Sequence, residues 1–247
     1  MRRDEVLDRQ RVAYHLRAPD WDAWITGYMA PVRPELIARV GDGTFDGNVV
    51  GEYAAGTGYF TQLIAARARR VVATDASPAM LAELRRKHLA NVTTAVVDVL
   101  DGWNPVPAQY EVIFFGHWLS HIPDSLLPAF LAGCEQALRP GGQLAFLDMD
   151  AREIPWLGQP VWQERVGGEQ VPLSVRPTSD GTGHVVVKYF REAQQLLAAM
   201  SGWGWAGTSV PIGAASGRGF YWCTAKRVAL QSSGVIDLEP VACGGGD

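Results

Sequence analysis

Residues 52–58 read Glu-Tyr-Ala-Ala-Gly-Thr-Gly, a carboxylate four positions ahead of a Gly-x-Gly turn. Glycine at 56 and 58 lets the backbone bend sharply and lets a ligand come close to it. A helix starting after such a turn aims its free amides and the positive end of its dipole at that ligand. Gly-x-Gly alone is a weak signal, but two downstream acids sharpen it. Asp75, 17 residues after Gly58 and followed by Ala76, ends an apolar run where a carboxylate can accept from both ribose hydroxyls. Asp98, 23 residues further and followed by Val99, ends the next run, where an adenine edge would lie. The expected ligand contains adenosine. A dinucleotide would call for a third glycine, but Thr61 holds that place, and Glu52 would repel a pyrophosphate. A carboxylate there suits a loop that faces a cationic ligand.

Gly116-His117-Trp118-Leu119-Ser120-His121 follows a fourth apolar run, in the region where ligands of parallel sheets gather. Two of the five histidines thus fall within five residues. His117 is a candidate general base or substrate hydrogen-bond partner, with plain pocket lining as its alternative. His121 is the second candidate catalytic residue. No carboxylate or cysteine accompanies the pair, so no metal is expected.

These groups need a framework. Helical periodicity covers 4–17, Pro19 is expected to break that helix, and Asp20 or Asp22 to cap the next. More helix is expected from Trp24 to Arg39, interrupted by Pro31 and Pro34. Strands are expected at 49–53, 70–75, 92–97, 110–115 and 143–148, with helices at 59–68, 78–87 and 125–138. Arg139-Pro140-Gly141-Gly142 reads as a turn. Alternating strands and helices imply parallel βαβ units with right-handed crossovers. The stretch 151–187, rich in proline, glycine and tryptophan, breaks the rhythm and reads as an insertion. A helix at 191–200 and strands near 205–211 and 219–226 follow, and 231–247 reads as a loose tail.

Glu-x-x-x-Gly-x-Gly with acidic ends to the second and third strands resembles class I S-adenosylmethionine-dependent methyltransferases, of the small kind found in bacterial secondary metabolism. The 110–121 segment, Leu138-Arg139-Pro140-Gly141-Gly142 and the closing Gly219-Phe220-Tyr221-Trp222 strand add to the likeness, which spans about 10–228. The family's first glycine is Ala54 here, and a slightly altered turn is expected. The resemblance implies an α/β, Rossmann-like mixed sheet of seven strands, order 3-2-1-4-5-7-6, strand seven antiparallel, with helices on both faces. It implies one domain over 1–230, with an N-terminal helical lid at 1–45 and the insertion over the substrate pocket. The cofactor implied is S-adenosyl-L-methionine. Glu52, Ala54, Gly56, Gly58 and Gly116 would surround it, with Asp75 and Ala76 at the ribose and Asp98 and Val99 near adenine. Tyr14 and Arg17 lie in a segment that folds over the cofactor in relatives, and Trp21 is either part of that pocket or a helix-pair core residue. His121 matches a histidine frequent in the family, which favours a structural or cofactor-shelf role.

Composition narrows the acceptor. A net charge of −4 and the lack of a broad basic face argue against nucleic acid. No Asn-Pro-Pro-Tyr/Phe signature follows the fourth strand. Nine tryptophans, among them Trp156, Trp162, Trp203 and Trp205, with His184, favour a small, partly aromatic or apolar metabolite methylated on O, N or C. The alternatives are a relative that uses the same cofactor for a cyclisation or rearrangement, a non-catalytic binding subunit, and, weakest, an NAD-dependent dehydrogenase. Cys134, Cys223 and Cys243 show no metal or disulfide spacing. With no apolar leader or membrane span, a cytoplasmic monomer or homodimer is expected.

Overall fold

The computed structural model describes residues 1–178 and 181–228; the expected tail at 231–247, with Cys243, lies outside them. Strands β1 (Val49–Tyr53), β2 (Arg70–Asp75), β3 (Val92–Val96), β4 (Tyr110–Gly116) and β5 (Leu138–Met149) run parallel. β9 (Trp205–Ile212) and β10 (Phe220–Arg227) complete a seven-stranded sheet, order β3-β2-β1-β4-β5-β10-β9, with β10 antiparallel to both neighbours. This is the expected order, with the expected antiparallel strand.

Both faces are covered, which is why the central strands are apolar runs rather than alternating ones. One core layer joins Ile25, Met29 and Leu36 to Phe60, Ile64, Phe114 and Trp222. It belongs to α1 (Arg3–Met29), α2 (Arg33–Val40), α3 (Tyr59–Ala65) and α4 (Pro78–Arg85). The other layer, from α5 (Leu127–Ala137) and α7 (Ala193–Gly202), joins Phe130, Leu131 and Met200 to Ile113, Phe115, Phe146 and Trp205. Trp205 and Trp222 are therefore core residues.

The N-terminal segment corrects the sequence reading. Pro19 does not break a helix: α1 runs unbroken through 27 residues. An interior proline costs about 3 kcal/mol, chiefly through a lost amide donor. Tertiary burial of Val6, Ala13, Ala18, Ile25 and Met29 along the same helix offsets it. Asp22 is no cap either; it accepts from Thr57 Oγ1 (2.8 Å) and Lys87 Nζ (2.7 Å), which ties α1 to the glycine turn and to the residue beyond α4. Residues 139–142 are likewise not a free turn but an irregular start to β5, with the register shifting against β4.

The insertion contains α6 (Ile154–Leu157) and a separate antiparallel sheet of β6 (Val161–Val166), β7 (Glu169–Pro177) and β8 (Gly183–Val187). One face of that sheet, Val171, Leu173 and Val187, packs on Val6 of α1. Gln10 fixes the docking: its Oε1 accepts from Val187 N (3.1 Å) and its Nε2 donates to the His121 carbonyl (3.3 Å).

Candidate active site

A cleft lies past the carboxyl ends of β1–β4 and is roofed by α1. Its wall includes Ala54, Gly56, Asp75, Ala76, Asp98 and Val99, together with Gly116, His117, His121, Tyr14 and Trp21. The turn under it is wound tightly, with Ala54, Gly56 and Gly58 all at positive φ (52, 57 and 85°). A Cβ on Gly58 would overlap the Leu84 side chain, and one on Gly116 the Phe60 ring. Gly58 is a packing residue behind the wall. Ala54, where the family pattern has glycine, takes the left-handed conformation all the same.

The acids are held by local backbone. Asp75 Oδ2 accepts from Gly56 N (2.9 Å) and Oδ1 from Ser77 N (2.8 Å), so the carboxylate sits at the mouth of the turn with further lone pairs free. Burial outweighs those bonds, and with Asp98 nearby it raises the Asp75 pKa to about 6. Ser77 caps α4 through Met80 N, as its place before Pro78 suggests. Asp98 is gripped by Arg11 Nε of α1 (2.5 Å) and accepts from Leu100 N (2.9 Å). Arg11 was not legible as a site residue; its partner lies 87 positions away.

Glu52 lies below the wall. It is buried, with Oε2 unpartnered, and burial, with the charge of Asp75 adding to it, raises its pKa to about 8. Arg17 also stands off the wall, over the rings of Trp21 (4.7 Å) and Trp24 (5.0 Å), with NH1 buried and unpartnered. Trp21 lies against Gly56, its Nε1 3.5 Å from where a Cβ would be.

These features fit S-adenosylmethionine. Its adenosine matches the Asp75–Asp98 wall, and no third glycine opens room for a pyrophosphate.

The two histidines differ. His121 Nδ1 is 2.6 Å from the Val187 carbonyl and so carries the proton. Nε2 then accepts from Tyr14 OH at 2.8 Å. Burial and the charges of Lys188 and Arg176 hold the ring neutral. Both nitrogens are spent in joining α1 to β8. His117 is at φ 55°, an unusual conformation for a non-glycine residue, fixed by its amide bond to Leu147 O (2.7 Å). Nε2 approaches Met29 Sδ (3.3 Å), and Nδ1 is buried with no partner. Burial, then Lys188 and Arg218, pushes its pKa well below the usual imidazole value. Tyr28, Phe60 and Phe220 surround the ring.

The tryptophans of the insertion do not line this cleft. Trp162 packs in the small sheet, and Trp156 stands over Arg218 at 5.0 Å. His184 lies opposite Arg176 in the β7–β8 pairing. Sequence reasoning missed the buried charges beside the histidines. Arg218 and Glu153 form a fully buried pair (2.8 Å), and Glu153 also accepts from Tyr28 OH (2.6 Å) and Gly219 N (2.6 Å). Lys188 is 1% and Arg176 4% exposed. A lysine directly after the apolar run Val185-Val186-Val187 was the available signal.

The family model described as a methyltransferase domain matches residues 50–142. A ubiquinone biosynthesis O-methyltransferase of Idiomarina loihiensis is 28% identical over 168 residues, 67% of this chain and 68% of that protein. A malonyl-[acyl-carrier protein] O-methyltransferase of Serratia marcescens is 33% identical over 118 residues, 47% of this chain and 43% of that one. Among solved structures, the DhpI–SAM–HEP complex superposes with a TM-score of 0.76 at 31% identity, covering 90% of this chain and 97% of that one. With that likeness over nearly the whole of both chains, the chain belongs to the class I S-adenosylmethionine-dependent methyltransferases.

Proposed function

We propose that the chain methylates an oxygen, nitrogen or carbon of a small, partly apolar molecule held beside His117. The bound cofactor supplies an electrophilic methyl carbon on a sulfonium centre. The observation that carries the proposal is the unpartnered Nδ1 of His117, buried where the cofactor cleft meets the Tyr28, Phe60 and Phe220 rings. With its proton on Nε2, facing Met29 Sδ, neutral His117 has a lone pair on Nδ1 ready to take a proton from the acceptor. The depressed pKa keeps that lone pair free at neutral pH. Asp75 and Asp98 hold the cofactor, while α1 excludes water and fixes the approach, the chief requirement of an in-line displacement. Asp150, Glu153 and Arg218 brace the aromatic side without entering the chemistry.

The test incubates the protein with S-adenosylmethionine and a panel of small metabolites, read by mass spectrometry. The expected result is a product one methyl group heavier, with an equal amount of S-adenosylhomocysteine. Product without S-adenosylhomocysteine would move the chain to a non-methylating reaction. No calorimetric binding of S-adenosylhomocysteine by the folded protein would overturn the cofactor assignment itself.

A further inference from the structure

Behind the two histidines the molecule buries more positive charge than it pairs. Arg176 and Lys188 lie on the insertion, one on β7 and one just past β8, and neither makes an ion pair among the described residues. Ser174, Arg176 and Val186 share the face of the small sheet opposite the one packed on Val6. Lys188, bonded through its amide to the Pro172 carbonyl (2.8 Å), continues that face. Lys188 Nζ donates to Ser120 Oγ (2.8 Å), which leaves two of its three protons uncommitted. Arg176 NH1 donates to Ser174 Oγ (3.1 Å) and the Val175 carbonyl (3.0 Å), and its guanidinium also faces Tyr14. The charges stand behind the histidine loop: Lys188 follows Val187, whose carbonyl holds His121, and its Nζ bonds Ser120, whose Oγ in turn donates to the His117 carbonyl (3.4 Å), while Arg176 bears on His121 and Tyr14.

Compensation is thin. Glu153 is committed to Arg218 and Asp150 to Arg152. Asp148 is the acid with the largest pull on Lys188, and its own oxygens accept from the amides of Ser120 (2.8 Å) and Met149 (2.9 Å). The cofactor's single carboxylate is balanced by its own ammonium, and its sulfonium adds a further cation. Unpaired buried cations are costly, and a counter-charge from outside the chain would relieve that cost.

We propose that Arg176 and Lys188 form an oxyanion subsite, so that the acceptor is a small molecule carrying a phosphate-like or carboxylate group. This rests on the placement of the acceptor beside His117. The subsite fixes one end of the acceptor, and the reacting atom is presented at the other. Lys188 is the sensor of occupancy. Facing it are Asp148 from β5, Glu153, Arg176 from β7, Arg191, and the two histidines. Burial outweighs the pull of Asp148 and leaves the Lys188 pKa at about 7. An arriving anion favours the ammonium form, so binding draws a proton from solvent near and just above that pH.

The experiment is isothermal titration of the S-adenosylhomocysteine-loaded protein with sulfate, and separately with acetate, at pH 7.5 in two buffers of different ionisation enthalpy. Sulfate is expected to bind with net proton uptake. Lys188→Met and Arg176→Gln should each weaken it by about tenfold or more, while S-adenosylhomocysteine affinity stays within about threefold. Should Lys188→Met fail to fold, Lys188→Arg replaces it, retaining sulfate binding but losing the proton uptake. Tighter sulfate than acetate assigns a tetrahedral anion, and the reverse a carboxylate. Sulfate and acetate both failing to bind, or binding that Arg176→Gln and the Lys188 variant leave unchanged (an adventitious ion only), overturns the subsite. Failure of S-adenosylhomocysteine to bind overturns the function reading instead.

Discussion

On the β1–β3 side of the cleft the carboxylates are held chiefly by backbone amides of the adjoining turns, Asp75 by Ser77 and Gly56 and Asp98 by Leu100, with Arg11 the one distant partner. On the side of the small sheet the buried groups include Lys188 and Arg218, whose partners are far away, while Arg176 bonds within its own strand. Tyr14 reaches His121 across 107 positions, His121 reaches Val187 across 66, and Lys188 reaches Ser120 across 68. Apart from the Arg11 contact, the acidic side is turn chemistry, complete once a strand, a glycine turn and a helix have formed. The basic side exists only when α1, the loop after β4 and the insertion dock together. A methyl donor common to a whole family can be held by the first kind of construction, while the variable acceptor falls to the second.

Four substitutions probe that contrast. The largest effect is expected from Glu153→Ala on the basic side. It leaves Arg218 buried without its partner and should cost about 3–5 kcal/mol in urea unfolding; a loss under about 1 kcal/mol would mean that the pair does not hold the docking. On the acidic side, Asp75→Ala should weaken S-adenosylhomocysteine by about 2 kcal/mol, roughly thirtyfold, by removing charge-assisted hydrogen bonds. Since the Asp75 pKa is near 6 and the ionised form is the better acceptor, wild-type affinity should rise about tenfold from pH 5 to 7 and then level. A flat profile would remove Asp75 from the ribose. His117→Ala should lower turnover more than about tenfold while cofactor affinity stays within a few-fold. Collapse of cofactor binding would put His117 on the acidic side of the division. The smallest effect belongs to Ala54→Gly: relief of a left-handed alanine, set against the entropy of glycine, should stabilise the fold by about 0.5 kcal/mol in thermal unfolding.

The same contrast explains what could be read in the chain. The strand order and the positions of Asp75, Asp98 and Gly116 along the cleft follow from local runs and family-like spacing, and the structure places them there. Gly58, Glu52 and Arg17 are near but behind the wall, since spacing along a strand or helix does not report how deep a side chain sits. Pro19 misled because propensity carries no knowledge of burial on both sides of α1. Tryptophan count misled for a similar reason: Trp205 and Trp222 fill the core, and Trp156 covers a guanidinium. Lys188 went unread because it stands one residue past the insertion as bounded at 187, with all of its partners elsewhere.

Along α1, Tyr14, Trp21 and Tyr28 recur every seven residues. Tyr14 touches His121, Trp21 lies against the glycine turn, and Tyr28 bonds Glu153. Two heptads of helix span about 21 Å and drift only about 40°. The helix is therefore a ruler whose marks index three separate parts of the molecule. Replacing one mark spoils one reading, but adding a residue between Tyr14 and Trp21 rotates every later mark by about 100° and advances it by about 1.5 Å. The spacing of these rings, more than any one of them, is what this helix has to keep.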